Sequence, residues 1–298
     1  MYINHNQMAG NVANTLTSHY SNLATSTQRL SSGLRVNSAA DDAAGLAIRE
    51  LMRADIAALN QGVRNANDAI SLLQTADGAL GVIDEKLIRM KELAEQAATG
   101  TYDSTQRLMI ESEYQQMASE ITRIANATDF NGIKLLDGNL SSDTHEGGDL
   151  TATGKMKIHF GTMNDSAEDY YYIQIGTATA SALGVGNQAG EPADAASDAR
   201  TVSTQEQAQK ALVGINNAIV SKDKIRAHLG ALQNRLENTI TNLTTQAENL
   251  QAAESRISDV DVATEMTQFV RNQILTQSAV AMLSQANSMP QMAMQLIH

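Results

Sequence analysis

The sequence predicts a mainly α chain, with long antiparallel coiled-coil helices from both chain ends and a small β-hairpin element in the middle. Three observations carry this. Apolar residues recur at helical spacing over the first 30 residues, from Met52 to Ala97 and from Ile110 to Ile124, and helical patterning returns at Thr204 and runs nearly to the end. Large rings, which supply much of a globular core, are scarce: seven Tyr, three Phe and no Trp. Between these regions, from Asp137 to about Ala199, Gly, Ser, Thr and Asp dominate, and only two proline residues, Pro192 and Pro290, interrupt the whole chain.

In the first segment Ala9, Leu16, Leu23 and Leu30 repeat every seven residues, with Val12, His19 and Ser26 as companions. Two polar companions leave this seam marginal in isolation, so it is expected to be disordered in a free monomer and to order against a partner. Gly33 suits the left-handed end of that helix, and Asp41 is placed to cap the next. Met52, Ile56, Leu59, Val63, Ala66, Ile70 and Leu73 open the second ladder, which runs on to Ala97 with a stammer at Leu73. About 55 residues of helix span roughly 80 Å. A shorter ladder, Ile110, Tyr114, Met117, Ile121 and Ile124, folds back antiparallel after a brief connection.

Phe130-Asn131-Gly132-Ile133 carries an Asn-Gly hairpin signal. Met156, Ile158 and Phe160, and then Tyr171, Ile173 and Ile175, alternate as half-buried strands do. Helix returns at Thr204 and carries a seam from Leu212 to Ile257. Ser258–Asp261 lacks a ladder; Val262, Met266, Val270, Ile274, Val280 and Leu283 then resume it. Both halves therefore share one layout in mirror order: a terminal helix, a joint and a long inner helix.

A formal net charge of -12 disfavours nucleic acid and anionic membrane as partners. Absence of cysteine removes disulfides and thiolate metal sites. MYINHNQMAG is not a secretory signal peptide, and no apolar run approaches the ~20 residues that span a bilayer. On these rules alone the chain reads as cytosolic. The six histidines form no HExxH or other ligand spacing, and no Gly-Lys-Ser/Thr phosphate loop occurs. Asp41-Asp42 reads as helix capping rather than an acid/base pair. Sequons at Asn126, Asn139, Asn164 and Asn242 are short patterns that arise by chance. Met282, Met289, Met292 and Met294 suit either a plastic partner surface or helical packing. No catalytic site, cofactor or metal is expected.

The stretch RLSSGLRVNSAADDAAGLAI at 29–48 resembles the bacterial flagellins. So do Phe130-Asn131-Gly132, Ile173-Gln174-Ile175-Gly176, LGALQNRLENTITNL at 229–243, the run from Glu248 to Asp261, Ala263-Thr264-Glu265, Gln285-Ala286-Asn287 and Pro290-Gln291. The similarity covers about 1–140 and 204–298. It implies a subunit that self-assembles into a helical homopolymer, the extracellular flagellar filament of a motile bacterium. Residues 1–42 with 257–298 would form an axial coiled-coil domain, 43–137 with 200–256 a helical inner-tube domain, and 138–199 a short variable β/loop surface segment. Leu16, Leu23, Leu30, Met266, Val270, Ile274 and Leu283 would pack the axial coiled coil. Arg29, Gly33, Arg35, Asp41, Asp42 and Gly45 would form the interdomain joint.

The same resemblance implies type III export without a cleaved signal peptide, which replaces the cytosolic reading. It also implies a dedicated export chaperone, a cap protein and junction proteins as partners. Toll-like receptors of animal hosts recognise a patch that aligns with Arg89, Leu93 and Glu113 here, beside Lys91. The middle segment is too short for the large outer domains of some members and lacks a metallopeptidase insert. Two rival readings are a hook–filament junction adaptor, with similar terminal helices, and a coiled-coil component of a type III injection system. The complete 29–48 block disfavours the adaptor and the mirror-order ends disfavour the injection component.

Overall fold

A computed structural model describes residues 6–146, 153–166, 168–186 and 200–297. Five helices account for most of it: α1 (Gln7–Ser32), α2 (Ala43–Ala98), α3 (Ser104–Ala127), α4 (Gln205–Ser258) and α5 (Val262–Ile297). Between α3 and α4 the described residues form six short strands: β1 (Asp129–Phe130), β2 (Ile133–Lys134), β3 (His145–Glu146), β4 (Thr153–Gly154), β5 (Met156–His159) and β6 (Tyr170–Ile173). They pair antiparallel as β1–β2, β3–β4 and β5–β6. The fold class is therefore the one expected. Among the described residues no helix is long and apolar enough to cross a membrane, and no group of three or more His, Asp or Glu could hold a metal ion.

The chain divides into two compact units, one from the described parts of 1–56 and 247–298, the other from those of 57–246. The boundary falls inside α2 and α4, because both helices run unbroken past their joints. Residues 43–56 and 247–256 thus cluster with the terminal helices, not with the remainder of the expected inner-tube segments.

In the second unit the α2 ladder is buried as its spacing requires: Ala66, Leu73, Ala76, Leu80, Ile83, Leu87, Met90, Ala94 and Ala97 are at most 1% exposed. Ile110, Tyr114 and Ile121 of α3 and Ala208, Ala211, Ile215, Ala218 and Leu229 of α4 join the same core. The reversal into α3 is fixed by a capping box: Gln106 Oε1 accepts from the Asp103 amide at 3.1 Å. Asn131 (φ 52°) and Gly132 (φ 82°) both adopt the left-handed conformation that a two-residue hairpin turn needs.

The strand registers Met156↔Ile173 and Ile158↔Tyr171 point those four side chains into the helical core. Leu140, Ile175, Ala178, Ala180 and Val185 enter it too. The described part of the expected surface segment is consequently an integral wall of this unit. A close backbone contact seats it: Asn65 Nδ2 donates to the His159 carbonyl at 2.8 Å, and a Cβ on Gly62 would lie 2.0 Å from the Phe160 oxygen. Glycine is required there by proximity.

Candidate functional site

The first unit is built on two chain corners that bind each other. At the first, Gly33 takes φ 74° and its amide donates to the Arg29 carbonyl at 2.8 Å, ending α1. The chain then turns over Asn37–Asp41, where Asp41 Oδ2 accepts from the amides of Asn37 (3.3 Å) and Ser38 (3.0 Å) and from the Ser38 hydroxyl (3.0 Å). Asp42, rather than the expected Asp41, caps α2: its Oδ1 accepts from the Gly45 amide at 2.9 Å. The corner needs both carboxylates because it contains a tight turn and, one residue on, a helix start. Gly45 is buried against that cap; a Cβ there would lie 2.4 Å from Asp42 Oδ2.

The second corner, Asp259–Asp261, starts α5. Asp261 Oδ1 accepts from the amides of Ala263 (3.0 Å) and Thr264 (3.3 Å), and Oδ2 from the Thr264 hydroxyl (2.8 Å). The corners are then tied across the chain. Arg35 N donates to the Ser258 carbonyl (2.6 Å), and Val260 N donates to the Gly33 carbonyl (3.0 Å). These bonds flank an antiparallel bridge between Leu34 and Asp259. Arg35 Nη2 reaches the Ile257 carbonyl at 2.7 Å. Arg29 faces Glu265 at 3.7 Å.

Both turn carboxylates are held below the usual aspartate value. For Asp41 the Ser38 amide is the chief cause, then the Ser38 hydroxyl and the Asn37 amide. For Asp261 the Thr264 hydroxyl leads, followed by the Thr264 and Ala263 amides. Each hydrogen bond favours the ionised oxygen.

Two contributors have no obvious sequence signature. Arg49, a buried charged residue, donates from Nη1 to the Val36 carbonyl at 2.8 Å and pairs with Glu50 at 2.9 Å. Ser258, fully buried, donates to Glu254 or Asp259. The only sequence hint of the second corner is the missing ladder at Ser258–Asp261.

Beyond the corners α1 packs on α5, and Asn6 Nδ2 fastens the far end to the Ala286 carbonyl at 2.8 Å. The less exposed face of α1 runs through Ala9, Val12, Leu16, His19, Leu23, Ser26 and Leu30. On α5 the matching face runs through Glu265, Phe269, Asn272, Thr276, Ala279, Leu283 and Ala286. Leu283 thus lies on the seam side. Met266, Val270 and Ile274 do not, a correction to the expected seam: they are 44%, 43% and 57% exposed. Apart from Phe269 and Leu283, the α5 side of the seam is made of small and polar residues, so apolarity alone pointed to the wrong face. With Thr267, Arg271 and Leu275 the three line an open apolar groove.

In the second unit Arg89 and Glu113 form an exposed ion pair at 2.7 Å between α2 and α3, with Glu92 also on Arg89. Leu93 is not a surface member of that patch. It is 1% exposed, because it lies beside Met90 and Ala94 on the core stripe of α2.

Two family models match, the bacterial flagellin N-terminal helical region over residues 3–141 and the C-terminal helical region over 212–297. The flagellar filament 33 kDa core protein of Treponema phagedenis is 42% identical over 297 residues, covering all of both chains. A flagellin of Bacillus subtilis is likewise 42% identical over 313 residues, with both chains fully covered. The crystal structure of Bacillus cereus flagellin shares 31% identity over 64% of this chain and 94% of its own, at a TM-score of 0.46. With paired terminal helices, and full-length relatives at this identity, the chain belongs to the bacterial flagellin family.

Proposed function

We propose that this flagellar filament subunit polymerises through the outward face of α5, with the tied corners holding the terminal helices at a fixed angle to their continuations. The observation that carries this is the distribution of apolar residues on α5. Val262, Met266, Val270, Ile274, Val280, Met282, Met289 and Met292 are exposed, while among the described residues the helix packs along one neighbour, α1. A helix whose apolar residues extend beyond the face packed on its one neighbour leaves apolar surface to be buried elsewhere, and in a homopolymer the missing neighbours are further copies of α1 and α5. A head-to-tail contact that does not close generates a helical filament.

In this reading 1–42 and 257–298 form the axial layer, 43–137 and 200–256 the tube around it, and 138–199 contributes to the surface. Arg29, Gly33, Arg35, Asp41, Asp42 and Gly45 set the geometry between layers. The subunit leaves the cell through the type III export channel, is held beforehand by an export chaperone that covers the α5 face, adds beneath a cap protein and joins the hook through junction proteins. A Toll-like receptor would meet the exposed Arg89–Glu113 pair, with Leu93 supporting it from beneath. The likeness of full-length filament core proteins supports this reading over a junction adaptor.

Electron microscopy of the purified chain seeded with filament fragments tests it. Intact protein elongates the seeds. The Met266→Gln/Ile274→Gln variant keeps the monomer's unfolding midpoint, since neither side chain is buried there. Its critical concentration rises at least about tenfold, because each large side chain contributes roughly 1.5–3 kcal/mol when buried. Unchanged elongation by the variant sinks the α5-face assignment. Failure of the intact chain to elongate any seed points to the adaptor.

A further inference from the structure

Lys222 lies in the middle of the α4 seam, where its neighbours inward are Ala211, Ile215, Ala218 and Leu229, yet it is 2% exposed. Its ammonium donates to Asp84 on α2 at 2.5 Å and pairs with Asp223 at 2.8 Å. One turn along α4, Arg226 grips Asp77 with two bonds of 2.7 and 3.2 Å. Asp77 and Asp84 are a heptad apart on α2, and the pairs run in opposite directions along the two helices. They form a two-tooth charge key between antiparallel partners.

Elsewhere on the buried stripes of these helices large residues such as Leu73, Leu80, Ile83, Ile215 and Leu229 alternate with small ones, Ala66, Ala69, Ala76 and Ala94 on α2 and Ala208, Ala211 and Ala218 on α4, which oppose sliding only weakly. Sliding α4 by one heptad in one sense brings Lys222 to Asp77 but leaves Asp84 beside Leu212 and Ile215 and Arg226 beside Ile70 and Leu73. In the other sense Arg226 meets Asp84, while Lys222 falls beside Met90 and Lys91 and Asp77 beside Leu236. Either slip breaks at least one interhelical pair; the second is the costlier, because Lys222 is buried and keeps only Asp223 of its own helix, whereas Asp84, Arg226 and Asp77 are partly exposed. A single buried polar residue in a helical seam is a known means of fixing register.

We propose that Lys222 and Arg226, with Asp84 and Asp77, are positioning residues that fix the axial register of α4 against α2 and so admit one subunit conformation to assembly. The key acts on register more than on stability, since an apolar side chain of similar volume packs equally well at a seam position.

Spin labels on cysteines introduced at the exposed positions Gln74 and Asn217 report the register, because the chain has no other cysteine. Pulsed electron–electron distances on the unpolymerised full-length chain are expected to give one narrow peak. Lys222→Met adds a second population displaced by about 10 Å, a heptad at 1.5 Å per residue; Lys222→Arg restores the single peak. If Lys222→Met loses its helical dichroism, Asp77→Asn/Asp84→Asn must show the second population instead. A single unshifted peak in whichever of these variants folds overturns the proposal. The measurement needs no filament growth, so its outcome is independent of the polymerisation reading.

Discussion

Asp41 and Asp261 each gather backbone amides and a hydroxyl around one carboxylate, and that geometry gives the corners a pH dependence. Both have folded values below the ordinary aspartate value of 3.8. A carboxylate whose folded value is depressed contributes stability that is present above its unfolded value and is lost as pH falls through the folded one. The corners are therefore expected to loosen below pH about 3.8, and Asp261→Asn, which cannot titrate, should flatten the acid limb of the thermal midpoint against pH. An unaltered limb would reject the assignment. At neutral pH, Asp42→Ala removes the cap bond of α2 and is expected to cost about 1 kcal/mol, read as a lower urea midpoint at constant slope. Gly62 is a steric case: the Phe160 carbonyl occupies the place of a Cβ, so Gly62→Ala forces the β5–β6 hairpin off α2. A loss of about 1–3 kcal/mol is expected, the range for overpacking, whereas Ala at the open Gly78 is tolerated.

At the scale of elements, periodicity alone makes α1, α2 and α3 legible in the sequence, as the buried ladder from Ala66 to Ala97 shows. The Asn131-Gly132 turn is legible because only a left-handed pair closes such a hairpin. The inward face of α5 is not. Beside Phe269 and Leu283, its seam residues Asn272, Thr276, Ala279 and Ala286 carry little hydrophobic signal, while Met266, Val270 and Ile274 are exposed. Hydrophobicity locates what must be buried in the final assembly, and in a polymerising chain that differs from what is buried in one subunit. The buried Lys222 and Arg49 are hidden for another reason: a charge inside a seam is recognisable only once its carboxylate or carbonyl partner, distant in sequence, is in place. The weak α1–α5 seam carries its own prediction. His19, Ser26, Asn272 and Thr276 supply little burial to offset the ordering entropy of two helices. In hydrogen-exchange mass spectrometry, 6–32 and 262–297 are expected to exchange rapidly in the monomer and slowly in filaments, while the Leu80–Met90 stretch of α2 is protected in both. Slow exchange of α1 in the monomer would refute a marginal seam.

For the whole molecule, on the proposed reading, stability and assembly reside in different units of one chain. The second unit holds the continuous core from Ala66 to Leu236, including Tyr114, Leu135, Leu136, Ile173 and Ile175. The first holds thin helix pairing, the tied corners and the exposed α5 face. Trypsin can separate the two roles, because Arg29, Arg35 and Arg53 precede the boundary at residue 57 and Arg256 and Arg271 follow the boundary at 246. Local opening exposes a segment to protease in proportion to its own stability, not that of the entire fold. Brief digestion of the monomer is therefore expected to leave a fragment of about 54–256, cut at Arg53 and Arg256, that retains the second unit whole. The fragment should unfold cooperatively at nearly the intact chain's midpoint, since the residues removed make no part of that core. It should also fail to elongate seeds, because the α5 face and its α1 partner are gone. Filaments, with those helices buried among neighbouring copies, should resist the same digestion. A fragment that melts without cooperativity would show that the terminal helices are part of the stabilising core, and one that still extends filaments would move the polymer contact off α5.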